Sequence, residues 1–199
     1  MDENQVFLNN VRIEDVPWHR LVTTYGRATD FPSHFNALLG LKIAEVDKAG
    51  EQIELNIEHQ STLWPATPFA MIFLAKIFRK ALSSTNQDIN RYIVVNLLDL
   101  FIRIAESYKM GNEMEHADPL PFFKDMLKEE YLWSEEYDNE EDETRFEEND
   151  GTFPDDLFYS FYFYSNEVLK SCNDVLRQYS QSNDKEVSSK IKQLLSLIN

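Results

Sequence analysis

Histidine, cysteine and clustered carboxylates are the side chains here that could do chemistry, and their spacing argues against most kinds of it. The four histidines, His19, His34, His59 and His116, form no HxxxH pair and no HExxH, so no metal-ligand spacing is present. His59 in Glu58-His59-Gln60 reads as a structural residue, capping the end of a preceding helix or bonding a backbone carbonyl. Trp18 reads as a core anchor, with His19 beside it on the surface of the first helix. The single cysteine, Cys172, excludes an intramolecular disulfide and a Cys-based zinc site. It falls inside an apolar helical stripe, where a thiol acts as a small hydrophobe. GxSxG, GxGxxG and Walker-type loops are absent. No catalytic residue, metal site or cofactor is expected.

What remains is charge. From Glu135 to Asp156 the chain reads EEYDNEEDETRFEENDGTFPDD, twelve acids against one base, Arg145, supplying −11 of the formal −16. Such a density repels nucleic acid and anionic membrane and attracts a basic protein. It is also too polar to fold on its own buried surface. Asp155 and Asp156 have a local reason, since the first turn of a helix favours negative charge by about 0.3–1 kcal/mol. The nine acids from Glu135 to Glu148 show no such reason. Calcium is not specified, because Asp138-Asn139-Glu140-Glu141-Asp142 lacks the glycine and the glutamate register of an EF-hand loop.

Aromatic residues interleave and flank the run: Tyr131, Trp133, Tyr137, Phe146 and Phe153. Rings surrounded by charge have the composition of an interaction hot spot, with charge steering association and rings supplying buried area. The expected partner contacts are Glu135, Glu136, Asp138, Glu140, Glu141, Asp142, Glu143, Glu147, Glu148 and Asp150, with Trp133, Tyr137 and Phe146 as anchors. The alternative is a solvated loop that Trp133 and Phe153 anchor by packing back onto the body.

The elements that must carry this run are helices. Pro follows a capping residue at Asp15-Val16-Pro17, Asp30-Phe31-Pro32, Thr67-Pro68 and Asp118-Pro119, as in a first helical turn. Thr85 with Asp88, Thr152 with Asp155 and Asn183 with Glu186 have capping-box spacing. Apolar residues recur at three and four between Asp88 and Met110, and along Leu157, Phe161, Tyr164, Val168, Cys172, Val175 and Tyr179. Val187, Ile191, Leu194, Leu195 and Ile198 mark a last helix. The run after Pro68 is apolar on nearly all sides, as in a central helix. Ile43 to Glu58 is expected to be helical, with Ala49-Gly50 a point of interruption. Only five glycines and seven prolines argue against a turn-rich β architecture.

With 199 residues, 43% of them hydrophobic, the chain suits one domain. The expectation is a single all-α domain over 1–199, with an N-terminal arm at 1–14 and an acidic loop at 134–152. Short connections favour stacked antiparallel helical hairpins. The acidic N-terminus lacks a signal-peptide pattern, and no stretch approaches the ~20 apolar residues of a membrane span. A cytoplasmic protein, monomeric when alone, is expected.

Two strings sharpen this. VPWHRLVTTYGRATDFPSHFNALL and LNIEHQSTLWPATPFAMIFLAKIF resemble the W-x-x-L-x-x-x-Y-G-x-A-x-D-x-P and I-x-H-Q-G-T-x-x-x-A-T-P-x-A-x-x-F-L segments of a family of bacterial HEAT-repeat-like proteins. The matching residues are Trp18, Leu21, Tyr25, Gly26, Ala28, Asp30 and Pro32. In the second string they are Ile57, His59, Gln60, Thr62, Ala66, Thr67, Pro68, Ala70, Phe73 and Leu74. Ser61 replaces the usual glycine, which raises the question of a positive φ there, and Ile72 stands where proline is common. The resemblance covers residues 16 to 82. It implies a HEAT-like α-solenoid without an active site, and some members look like immunity proteins of polymorphic toxin or contact-dependent growth-inhibition systems. The partner it implies is a cognate toxin, a basic nuclease domain, bound as a heterodimer with its active site occluded; direct contact with nucleic acid or membrane is not implied. Two rival readings are a general interaction scaffold for another cellular partner and an enzyme using a carboxylate-bound divalent metal.

Overall fold

The computed structural model describes residues 2–40, 42–84, 88–138, 140, 142, 144 and 153–199. The chain is mostly helical. The α-helices that lie wholly within the described residues are α1 (Glu3–Asn10), α2 (Phe31–Leu38), α3 (Ile43–Ile57), α4 (Ala66–Leu82), α5 (Asp88–Glu113), α6 (Asp155–Lys170), α7 (Asn173–Tyr179) and α8 (Lys185–Ile198). Between them lie two small hairpins, β1 (Val22–Thr23) with β2 (Gly26–Arg27), and β3 (Glu58–His59) with β4 (Thr62–Leu63), both antiparallel.

Helix α4 is the centre. Only Lys76, Arg79 and Lys80 of its residues reach solvent, as its all-round apolar sequence requires. It packs against α2, α5 and α6, and α5 in turn packs against α6 and α8. Trp18 is buried as expected, its ring 5.4–5.7 Å from those of Phe31, Phe35 and Phe73. A second aromatic group centres on Phe123, which meets Phe7, Phe69 and Tyr164 at 4.8–5.3 Å. Through Phe7 the N-terminal arm is docked: it contains α1, whose Asn4 Oδ1 accepts from the Phe123 amide at 2.8 Å.

Several helix boundaries differ from the sequence expectation. Asp15-Val16-Pro17 does not open a helix; it leads to a single 3-10 turn, Trp18–Arg20, and then β1. Val16, Trp18, Leu21 and Val22 are all buried, and the Trp18 indole N–H donates to the Ile13 carbonyl at 2.8 Å. That packing overrides the local start signal. Asp118-Pro119 also starts no helix. Pro119 and Pro121 push the residues before them towards extended backbone. The Leu120 and Phe123 amides then donate to the Ser160 hydroxyl and to Asn4 rather than along a helix.

The long stripe from Leu157 to Tyr179 is broken into α6 and α7 at Ser171-Cys172. Arg79 donates to the Ser171 carbonyl and hydroxyl at 2.9 and 3.0 Å, so an outside cation terminates α6. Helix α8 is capped by Asp184, one residue after the expected Asn183; Asp184 Oδ1 accepts from the Glu186 and Val187 amides at 3.1 and 3.2 Å. Helix α4 begins at Ala66, one residue before Thr67. Helix α3 runs unbroken through Ala49-Gly50. The α2 start at Asp30-Phe31-Pro32 stands, although the Asp30 side chain makes no capping bond. Thr85 and Thr152 lie outside the described residues.

Candidate functional site

The two strings that carried the resemblance fold into the two hairpins and the helices that follow them. In the first hairpin Gly26 has φ +111°, a conformation that favours glycine. In the second, Gln60 and Ser61 form a two-residue turn with φ 51° and 66°. Both are left-handed and neither is glycine, so Gln60 and Ser61 put strain into a turn that favours Asn-Gly. The turn is held from both sides. The Ser61 amide donates to Glu58 Oε1 at 3.0 Å. The Tyr162 hydroxyl on α6 accepts from the Leu63 amide and donates to the Ser61 carbonyl, both at 3.3 Å. Thr67 closes the hairpin, accepting from the Trp64 amide at 2.9 Å and donating to the Ile57 carbonyl at 2.6 Å.

The hairpins are joined to each other. The Thr24 amide donates to the Asn56 carbonyl at 3.1 Å, and the Thr23 hydroxyl donates to Asn56 Oδ1 at 2.8 Å. Tyr25 is 65% exposed and meets the His59 ring edge-on at 5.8 Å. His59 thus lies on a strand rather than capping a helix.

The first hairpin also receives the head of the acidic run. Arg27, with a side chain only 2% exposed, forms a two-point pair with Asp142: Nε to Oδ2 at 2.6 Å and Nη2 to Oδ1 at 2.7 Å. Its Nη1 donates to the His19 and Ser134 carbonyls, both at 2.8 Å, and Nη2 to the Glu136 carbonyl at 3.2 Å. The guanidinium carbon lies 5.4 Å from the centre of the Trp133 ring and 5.3 Å from that of Tyr137, within cation–π range. Arg20 adds a second tie, from Nε to the Trp133 carbonyl at 2.6 Å and from both Nη groups to Glu129 at 2.9 and 2.5 Å. The Glu129 bond raises the Arg20 pKa above its ordinary value, and Glu129 is correspondingly lowered. His19 Nε2 lies 2.9 Å from Glu135 Oε1, and the Trp133 amide donates to the Arg20 carbonyl at 3.1 Å.

These contacts sort the candidate residues. Trp133, Glu135 and Asp142 are engaged within the chain, so Glu135 and Asp142 have a local reason other than a helix start, as partners of His19, Arg20 and Arg27. Phe153 also packs inward, 5.2 Å from Phe161 on α6. Tyr137 is 67% exposed although its ring touches Arg27, and the Glu136 and Glu140 side chains are exposed. Asp138 Oδ1 accepts from the Glu140 amide at 2.9 Å. Residues Ser134 to Asp138 line a cleft of about 330 Å³. Glu141, Glu143, Phe146, Glu147, Glu148 and Asp150 lie outside the described residues.

Sequence reasoning missed Arg20 and Arg27, and it placed His19 on a helix rather than on a 3-10 turn facing Glu135. One signal was present: residues 16–29 hold two arginines and no acid, in a chain with net charge −16. Elsewhere, burial pushes the Cys172 thiol above its usual pKa. Among the described residues no group of three or more His, Cys, Asp or Glu side chains could hold a metal ion, and no helix is long and apolar enough to cross a membrane.

Comparison with protein-family models, curated proteins and solved structures finds no match to this chain.

Proposed function

We propose that this protein is a cytoplasmic immunity protein that binds a cognate basic toxin domain, a nuclease, and occludes its active site without catalysis of its own. The observation that carries the reading is the exposed Tyr137 ring, set between exposed carboxylates on a segment tied down by Arg20 and Arg27. An ordered ring among acids offers buried area to a partner, and the surrounding charge steers a basic one into place. The proposed contacts are Glu136, Tyr137, Asp138 and Glu140, continued by Glu141, Glu143, Phe146, Glu147, Glu148 and Asp150. Trp133 and Asp142 support them through Arg27, and the exposed Glu135 is paired with His19 and Arg20.

The HEAT-like part of the reading draws on sequential helix pairs that pack as neighbours, α2 on α3, α4 on α5, and α7 on α8. The resemblance of residues 16 to 82 adds to it. Helix α6 lies against both members of the α4–α5 pair.

Co-production with the product of an adjacent gene, followed by nuclease assay with and without this protein, tests the reading. Inhibition with one-to-one stoichiometry is expected. Glu136→Lys with Glu140→Lys should weaken it about tenfold or more and flatten its dependence on salt. Inhibition that is unchanged by both substitutions and by salt would sink the acidic mechanism.

A further inference from the structure

Three basic residues of one short segment, His19, Arg20 and Arg27, reach a segment more than a hundred positions away, and Arg27 does most of the joining. A guanidinium has five N–H donors in a planar fork. In Arg27 all five are used: one from Nε and one from Nη2 on Asp142, two from Nη1 on the His19 and Ser134 carbonyls, and one from Nη2 on the Glu136 carbonyl. The acceptors come from the 3-10 turn before the hairpin, from residues 134–136 and from position 142. The Trp133 and Tyr137 rings both lie within cation–π reach. No other side chain has the donors to bridge these pieces; an ammonium has three and no plane.

We propose that Arg27 is the positioning residue of the acidic surface: it holds residues 133–138, with Asp142, in one arrangement, so that Tyr137 and Glu136 meet a basic partner already placed. The geometry stands by itself, while its use in binding rests on the immunity reading above. Asp142 is then the internal counter-charge of Arg27 and makes no partner contact. Pre-organisation of this kind raises affinity by removing the entropy of ordering the segment on binding.

The test uses the full chain and two variants, Arg27→Lys and Asp142→Asn. Both leave the helices' own contacts untouched. Arg27→Lys keeps the net charge, and Asp142→Asn approaches the pair from its more exposed side. Native-state hydrogen exchange is read at the Trp133, Glu140 and Asp142 amides, which bond to the Arg20 carbonyl, Asp138 Oδ1 and the Asp138 carbonyl. Amides inside α4 and α5 report the fold. Exchange at the three amides should rise at least about tenfold in both variants, with α4 and α5 unchanged.

Binding is read with an alanine-based helical peptide bearing arginines along one face. Arg27→Lys should weaken it about tenfold, which a pure charge effect would not do because the charge is the same. Unchanged exchange at the three amides in both variants overturns the proposal, as does loosened exchange with unchanged peptide affinity. A wild-type chain that does not bind the peptide at all, with exchange behaving as expected, upholds Arg27 as the anchor of the segment and overturns the basic-partner reading instead.

Discussion

Arg27 and Asp142, 115 positions apart, meet through two hydrogen bonds of 2.6 and 2.7 Å with the arginine 2% and the aspartate 13% exposed. The acidic run is therefore not a loop hung on a finished domain. Its first part is closed over the β1–β2 hairpin, and part of its charge is spent there.

Breaking such a pair from one side leaves a buried charge without compensation, which costs about 3–5 kcal/mol. The cost falls where the segment can lift away and let water in. Asp142→Ala is thus expected to destabilise by about 2–3 kcal/mol in urea unfolding. A loss below about 0.5 kcal/mol would mean that the pair is worth no more than a solvated one.

The strained turn predicts the opposite sign. Gln60 and Ser61 both sit at positive φ, where a side chain costs roughly 1 kcal/mol relative to glycine. Ser61→Gly should raise stability by about 0.5–1 kcal/mol, seen as a rise of about 1–4 °C in Tm. If Tm falls instead, the Ser61 side chain is contributing more than the strain removes.

Thr67 gives a third case. Its hydroxyl both accepts and donates at a buried position between the end of α3 and the start of α4. Thr67→Val keeps the shape and leaves the Trp64 amide and Ile57 carbonyl without that partner, a cost of about 2 kcal/mol. Thr67→Ser, which keeps the hydroxyl, should cost clearly less. Equal losses in the two variants would assign the effect to packing.

Two tyrosines set the alkaline limit. Burial raises Tyr159 and Tyr164 to about 12, from the ordinary 10.0. Tyr159 also lies near Tyr108, and the Tyr164 hydroxyl donates to the Leu120 carbonyl at 2.6 Å. Because the unfolded chain ionises first, their contribution is complete below pH 10.0 and lost as pH rises towards about 12. Tyr92, Tyr131 and Tyr162 are raised as well. The check is therefore the difference in phenolate absorbance between the wild type and Tyr159→Phe with Tyr164→Phe, which should titrate towards about 12. A difference that titrates at the ordinary 10.0 would contradict the assignment.

Acid acts through carboxylates such as Asp184, which caps α8. The side-chain bond from Arg91 is the main cause of its lowered pKa, with the Val187 and Glu186 amides adding to it. A depressed folded value means stability that is complete above the ordinary 3.8 and lost as pH falls through the folded value. Arg91→Gln should shallow the fall of Tm on acidification below that point. An unchanged acid limb would show that Arg91 is screened by solvent.

The helical character of this protein is legible in its sequence because the signals are local. The buried residues of α5 and α8 recur at intervals set by one turn of helix, so Ile93, Leu97 and Phe101, or Val187, Ile191 and Leu194, declare their face without reference to anything else. Helix starts were less secure, since Asp15-Pro17 and Asp118-Pro119 carry the same local signal as Asp30-Pro32. What separates them is where Trp18, Asn4 and Ser160 stand in space. The acidic surface divides in the same way. Its charge and its rings are written in residues 133–156, but which acids face outward is not. Among 35 acids and 19 bases no spacing rule selects Asp142 for Arg27. Ion pairs, unlike helical stripes, have no period. Only the folded chain, bringing the first hairpin and the turn before it against Glu129, residues 133–136 and Asp142, decides which charges are consumed inside and which are left to a partner.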